Sequence, residues 1–467
     1  MHDSAVGPTE PLESIPRHVD RSRVSATVIW VTIVSAVSLA LGLFRLGKPS
    51  FWLDETFTAR AIDYPYPDIL LQYHWVFYSV EKPWAAIAGT SEWALRVPAV
   101  VAAMLACAAL VVLAARLFDR WIALLSGLFL ATSPFFVKWS QQARGYTLLV
   151  AASIVAALLL LRALDRGTAG AWLGYGAGLS LVLMIQPIGG LALVPAHAVL
   201  IAQRRQRLSR DALLAGFPIV LFGLTWAGVV AVYATGDPFT NPLRFPSAET
   251  VVRALADNSG IAGLGALLAI GGLWSLRRAG RSDTALWLGT WAFVPFLVTL
   301  GASIAKPMFL DRYVIVTAPA FALLAAVAVR NLAPRLRAPL ALVVATATAV
   351  GIVHWYAQGA DGRNWHGEGW RPALELIYEQ RSHDDPVLVI PHFAHAAPRY
   401  YDARWVTVAP DSDSVWALYW SERGHELSAR SRRALHLDTH RLVESITFGW
   451  RLAAQHWVRR QVGSGSR

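Results

Sequence analysis

Apolar stretches long enough to cross a bilayer recur from Ser25 to about Tyr356, and beyond that point the chain turns polar. A helical span needs about 20 consecutive apolar residues. By that measure the pattern predicts about eleven spans, over 25–46, 93–115, 120–138, 146–164, 171–185, 187–203, 212–234, 257–276, 283–303, 313–329 and 338–356. The weakest boundary lies within 171–203, where Gln186-Pro187 interrupts a long apolar run. Proline removes a backbone donor and disfavours helix at the residue before it, so two short helices are expected there. A single kinked span would move every later loop to the other side of the membrane, against the placement of arginines described next.

Composition agrees with this pattern. Of 467 residues, 55% are hydrophobic and only 16% charged, outside the usual range for a soluble protein. The first apolar run follows some twenty polar residues and is longer than the core of a cleavable leader, so it is expected to stay as an anchor. The lone cysteine, Cys107, sits in the second predicted span and has no partner for an intramolecular disulfide. Arginines cluster at 17–23, 116–120, 162–166, 204–210, 277–281 and 330–337, alternating with connections poorer in arginine. Basic residues in a membrane protein report sidedness, the richer loops being cytoplasmic. The net charge of +11 is therefore read as topology rather than as a nucleic-acid surface. The expected plan is a cytoplasmic tail, 1–24, a transmembrane bundle, 25–356, with a long extracytoplasmic loop, 47–92, and an extracytoplasmic soluble domain, 357–467.

That last segment holds fourteen Arg, thirteen Asp or Glu and no Lys. Val387–Ile390 between two prolines and Trp405-Val406-Thr407-Val408 read as strands after a helical stretch from Pro372 to Gln380, which predicts a small α/β domain. The fold class expected is thus mainly α, a polytopic helix bundle with a small α/β appendage. No internal repeat, low-complexity run or zinc-like Cys/His spacing is present.

Candidate chemistry sits at the ends of the spans. Asp54 and Glu55 follow the first span in Phe51-Trp52-Leu53-Asp54-Glu55-Thr56, and carboxylates are costly to place at membrane depth without a use. The same loop carries Tyr73-His74-Trp75 and Lys82-Pro83-Trp84, and Arg96 stands at the start of the second span. Gln141-Gln142-Ala143-Arg144-Gly145-Tyr146 follows the third span, and Lys306-Pro307-Met308-Phe309-Leu310-Asp311-Arg312-Tyr313 precedes the tenth. Taken in order, these motifs resemble the GT-C glycosyltransferases of the protein-mannosyltransferase and aminoarabinose-transferase-like group, glycosyltransferase family 39, over roughly residues 25–330. Two departures stand out: Leu71-Gln72-Tyr73 precedes His74 where related sequences commonly carry an acid, and Gln142 replaces a usual Glu.

The resemblance implies an enzyme that takes a sugar from a polyprenyl-phosphate carrier in the membrane and passes it to an extracytoplasmic glycan, lipid or protein. Such a displacement needs a carboxylate to deprotonate the acceptor hydroxyl and cations to hold the leaving phosphate. Asp54 is the expected base, with Glu55 orienting it or helping to bind acceptor or metal. Arg144 and Arg312 offer planar paired donors for the phosphate, and Lys82 and Lys306 offer point charges. The chain has 38 Arg and only four Lys, namely Lys48, Lys82, Lys138 and Lys306. For Lys48 and Lys138 the simpler expectation is interfacial snorkelling. His74 could touch sugar or phosphate or serve only as a structural hydrogen-bonder, and Tyr146 and Tyr313 could bond substrate or belong to the interfacial aromatic belt. No particular cofactor is indicated and a divalent metal is left open, as are the sugar, the acceptor and the stereochemistry. The rival classes are a lipid-carrier transporter or flippase and a non-catalytic envelope-assembly protein. A transporter is expected to carry its charges near the membrane midplane, whereas here they gather at span ends.

Overall fold

A computed structural model of the chain describes residues 21–204, 222–223, 225, 245–260, 263–305, 307, 309–358, 366–381, 387–401, 405–406, 411–421 and 424–460. The apolar runs fold as helices, since within a bilayer every backbone donor and acceptor must be paired internally. In chain order these are α1 (Arg21–Leu43), α2 (Leu53–Ala61), α3 (Tyr66–Leu70), α4 (Trp75–Ala88), α5 (Glu92–Leu117), α6 (Arg120–Ala131), α7 (Pro134–Ser140), α8 (Tyr146–Arg166), α9 (Ala169–Ile185) and α10 (Pro187–Gln203). Then come α11 (Ala248–Ser259), α12 (Leu264–Arg278), α13 (Ser282–Ala305), a 3-10 segment (Asp311–Thr317), α14 (Ala318–Asn331) and α15 (Pro334–Gln358).

Among the described residues, six helices are long and apolar enough to cross a membrane: α1 from Ser25, α5, α8, α13, the 3-10 segment continued by α14, and α15. The number rises to eight if α6 with α7, bent by 61°, and α11 with α12, bent by 68°, each form one broken span. The α6/α7 bend falls where Pro134 opens α7 and the Ser133 hydroxyl accepts the Phe136 amide, a helix restart written in the sequence. The expected break at Gln186-Pro187 is present, with the Gln186 side-chain oxygen capping α10 at the Gly189 amide. α9 and α10 are only 17 residues each, and the expected span 212–234 lies almost wholly outside the described residues. The described helices thus establish six to eight candidate spans, and the count of eleven stays an expectation.

The bundle core is built from α5, α6, α8, α14 and the 3-10 segment, with Leu110, Trp139, Leu160, Trp291 and Phe321 fully buried. By contrast, α15 stands at the margin, and Val344 alone of its residues is buried.

Beyond the bundle lie α16 (Trp370–Gln380), α17 (Ala396–Tyr400) and α18 (Ala429–Ala434). With them is a five-stranded sheet of β1 (Val387–Ile390), β2 (Trp405–Val406), β3 (Ser414–Trp420), β4 (His440–Thr447) and β5 (Leu452–Arg459), in the order β2-β1-β3-β5-β4. β1 pairs in parallel with β2 and β3, and β5 pairs antiparallel with β3 and β4. The expected strands at 387–390 and 405–406 and the helix ending at Gln380 are present, and β3 to β5 extend the sheet. The domain's core, formed by Trp370, Leu374, Val389, Trp416 and Leu418, is completed by Leu53 from α2.

Candidate active site

Helix α2 presents the acidic pair, and its geometry separates the two residues. Glu55, at the third helical position, is 1% exposed and fully engaged. One carboxylate oxygen accepts Arg96 Nε and the Ala143 amide, each at 2.8 Å. The other accepts Arg96 Nη2 at 2.8 Å and the Trp52 amide at 3.3 Å, which caps the helix start. Arg96 spends its remaining donors on the carbonyls of Leu46, Pro49 and Ser50. This pair ties α2 to α5 and to the turn after α1, and no oxygen of Glu55 is left to meet a substrate or a metal. Of the two roles expected for Glu55, the geometry fits the orienting one.

Asp54 points elsewhere. Its side chain is 27% exposed, and one carboxylate oxygen lies 3.8 Å from Arg312 Nη2 and 4.0 Å from Arg144 Nη2. These distances exceed ordinary hydrogen-bond length, so both guanidiniums attract the carboxylate without closing on it. Arg144 comes from the turn between α7 and α8 and donates to the Asp54 carbonyl, 3.3 Å, and to the Tyr78 hydroxyl, 3.2 Å. Arg312 enters from the 3-10 segment, donates Nε to the Tyr146 hydroxyl at 3.0 Å and lies 5.6 to 5.9 Å from the rings of Trp52, Trp139 and Tyr313. Three distant segments thus place two cations around one carboxylate. The result is a net positive cluster whose charge suits an anion.

His74 adjoins this cluster, its ring 6.1 Å from Tyr78 and 6.4 Å from Tyr146. Burial, followed by the charges of Arg144 and Arg312, holds its imidazole well below the usual value, so it is neutral at physiological pH. Lys82 is placed differently from expectation. Its ammonium donates to the carbonyls of Ile62 and Tyr64, at 2.5 and 2.9 Å, and so ties down the C-terminal end of α2. Lys306 lies outside the described residues. Among the described residues, no three His, Cys, Asp or Glu side chains converge as a metal site would require.

Several supports escape a reading of the sequence. Lys138, expected to snorkel, is 7% exposed and lies 3.7 Å from Asp311, whose other oxygen accepts the Arg312 amide. Asn258 adds a bond to the Asp311 carbonyl, so α7 and α11 together fix the turn that carries Arg312. From the C-terminal side, His366 stacks on Trp52 with ring centres 3.5 Å apart. Glu368, fully buried, accepts the Leu53 amide at 2.7 Å at the start of α2, together with the indoles of Trp370 and Trp420, each at 2.9 Å. Burial raises its carboxyl above the usual range, and these donors oppose that shift. The acid in Trp-His-Gly-Glu carries no sequence signal of this task, because the α2 amide it caps, that of Leu53, lies 315 residues upstream.

A carboxylate flanked by cations, at one end of an apolar helical bundle capped by a sheet domain, defines a membrane protein built to handle an anionic group. Comparison with known proteins narrows the class. Residues 80–228 match the model of the dolichyl-phosphate-mannose-protein mannosyltransferase family. The fold is that of ArnT from Cupriavidus metallidurans: its structure bound to undecaprenyl phosphate is 16% identical, with a TM-score of 0.61 over 92% of this chain and 98% of that one. Its apo structure is 17% identical, with the same TM-score and coverage. No curated protein sequence matches the chain. The GT-C resemblance read from the motifs is therefore borne out by a family match and a shared fold.

Proposed function

We propose that the chain is a membrane glycosyltransferase that moves a sugar from a polyprenyl-phosphate donor to an acceptor hydroxyl, with Asp54 as general base. The observation that carries this is Asp54 held between Arg144 and Arg312 without direct closure. Undecaprenyl phosphate bound to the similarly folded ArnT supports the donor class.

The acceptor oxygen bonds to the anomeric carbon while its proton passes to the Asp54 carboxylate. The bond from the anomeric carbon to the phosphate oxygen breaks, and its electron pair leaves with the polyprenyl phosphate. Negative charge grows on that phosphate, where Arg144 and Arg312 stabilise it with donors that are always protonated. Tyr146 holds the Arg312 fork in orientation, and Tyr78 does the same for Arg144. The neutral ring of His74, with Tyr313 nearby, bonds the sugar or the phosphate. The Asp54 end of the bundle and the domain over it face away from the cytoplasm, as the arginine pattern predicts.

The test is sugar transfer in membranes from a panel of labelled polyprenyl-phosphate sugars, comparing the native chain with Asp54→Asn. Loss of a positioned base lowers turnover by about 10²- to 10⁴-fold. Equal transfer by both proteins removes Asp54 as the base. Absence of transfer from every donor, with lipid translocation intact, replaces the enzyme reading with that of a carrier transporter.

A further inference from the structure

A cleft open to solvent lies between the end of α1, the end of α15 and the segment after α7. It is lined by Arg45, Lys48, Gln142, Trp355 and Tyr356, and it reaches the buried Glu55–Arg96 pair. That pair is neutral as a unit, so the charge facing the cleft is carried by Arg45 and Lys48, and no other acid lines it. The Lys48 ammonium is exposed and makes no hydrogen bond or ion pair among the described residues. Arg45 makes one long contact, 3.5 Å, to the Tyr356 carbonyl.

Gln142, at the inner edge of the cleft, is 3% exposed, and its side-chain oxygen lies 3.3 Å from His366 Nε2, so its place is fixed from the C-terminal side.

The surroundings say where an anion to meet these charges comes from. α1 and α15 meet at this end, where the Tyr356 hydroxyl donates to the Leu41 carbonyl and Phe44 packs edge-on against Tyr356. Along the rest of α15 the apolar side chains of Leu342, Val343, Val350 and Val353 are exposed, as membrane-facing side chains are. Trp355 and Tyr356 sit at the level where such rings mark the lipid headgroup region.

We propose that this cleft binds the phosphate of an anionic membrane lipid, with Arg45 and Lys48 on the headgroup and the acyl chains along α1 and α15. The site is distinct from the donor phosphate site, and its existence does not depend on the proposed reaction. An occupied cleft encloses the Glu55–Arg96 pair and so shields the anchor of α2 from water.

The test uses the full chain in phosphatidylcholine nanodiscs containing a photoactivatable phosphatidylglycerol, with the same photoactivatable group on phosphatidylcholine as the neutral probe. Adducts are mapped by mass spectrometry. The anionic probe is expected to label 45–48 and 355–356, and Arg45→Gln with Lys48→Gln to lower that labelling by at least about tenfold, through loss of two charge-assisted contacts. The charge-preserving pair Arg45→Lys with Lys48→Arg keeps most of the labelling, which separates lost charge from lost fold. Equal labelling by the neutral probe, or labelling unchanged in the glutamine pair, overturns the proposal. Thermal stabilisation by millimolar inorganic phosphate in neutral nanodiscs, matching that given by phosphatidylglycerol, overturns the lipid assignment in favour of a free anion.

Discussion

Replacing Glu368 by alanine removes the acceptor through which, among the described residues, the C-terminal domain caps α2. The Leu53 amide loses an acceptor at 2.7 Å, and the indoles of Trp370 and Trp420 lose theirs at 2.9 Å. Loss of a helix cap costs about 1 kcal/mol, and the fully buried Trp370 indole, left without this acceptor, costs a further 1 to 3 kcal/mol, roughly. α2 is nine residues long, too short to persist without such contacts. If about 2 kcal/mol of this cost appears as misplacement of α2, kcat falls about 30-fold, at 1.4 kcal/mol per factor of ten. Arg144 and Arg312 stand on other segments, so KM for the polyprenyl-phosphate sugar is expected to stay within about threefold. Glu368→Gln keeps an acceptor oxygen for Leu53 and is expected to recover most of the rate. The assay is initial-rate kinetics in nanodiscs on preparations matched for monodispersity and apparent Tm. A Glu368→Ala enzyme with kcat within threefold of the native value, or a loss carried by KM alone, refutes the reasoning.

Three further outcomes follow from the geometry. Arg312→Lys gives up the planar fork and its bond to Tyr146, so donor KM should rise about tenfold, the worth of one charged hydrogen bond, as measured by donor titration. Glu55→Ala strands the Arg96 guanidinium in a buried site and should destabilise the protein by about 3 to 5 kcal/mol, seen as a fall in apparent Tm; a change below about 1 kcal/mol would contradict the anchoring role. Glu81 is fully buried with neither oxygen bonded, and burial, then the charge of Glu55, pushes its carboxyl up to about 9. The folded state therefore holds a proton that the unfolded chain releases above the ordinary carboxyl value of 4.5, so Glu81 lowers stability progressively as pH rises from there toward 9. Glu81→Gln should flatten that decline, with little difference from native near pH 4 and a gain on the order of 1 to 3 kcal/mol at neutral pH. Unfolding curves of the two proteins across this range check the sign.

Most of the bundle was legible because a bilayer imposes one strong rule, and the break at Gln186-Pro187 could be placed from proline chemistry. The functions of single charges were harder to read. Asp54, Arg144 and Arg312 are recoverable from the cost of placing charge at a span end. Whether Glu55 faces substrate or Arg96 depends on a neighbour forty-one residues away, and no local pattern encodes it. Lys82 was plausible as a phosphate ligand by type, yet two carbonyls at the end of α2 occupy it. Lys138 was the converse: an ordinary interfacial lysine in sequence that the fold buries beside Asp311. In the sheet, β3 has a local signal, since Ser414–Trp420 is a run of strand-forming residues bounded by polar ones. β4, with most of its residues exposed, offered almost none.

Leu53 is 5% exposed and belongs to the core of the C-terminal domain, although it lies at the start of α2. The boundary between bundle and domain is therefore not a boundary between independent modules. A fragment made only of 357–467 would carry an open apolar socket where Leu53 fits, and binding of a hydrophobic dye by that fragment would report it. In a chimera between relatives, the unit to exchange is the domain together with the residues around 50–60. Swapping at the polar junction after α15 would pair a socket with a plug shaped for another protein.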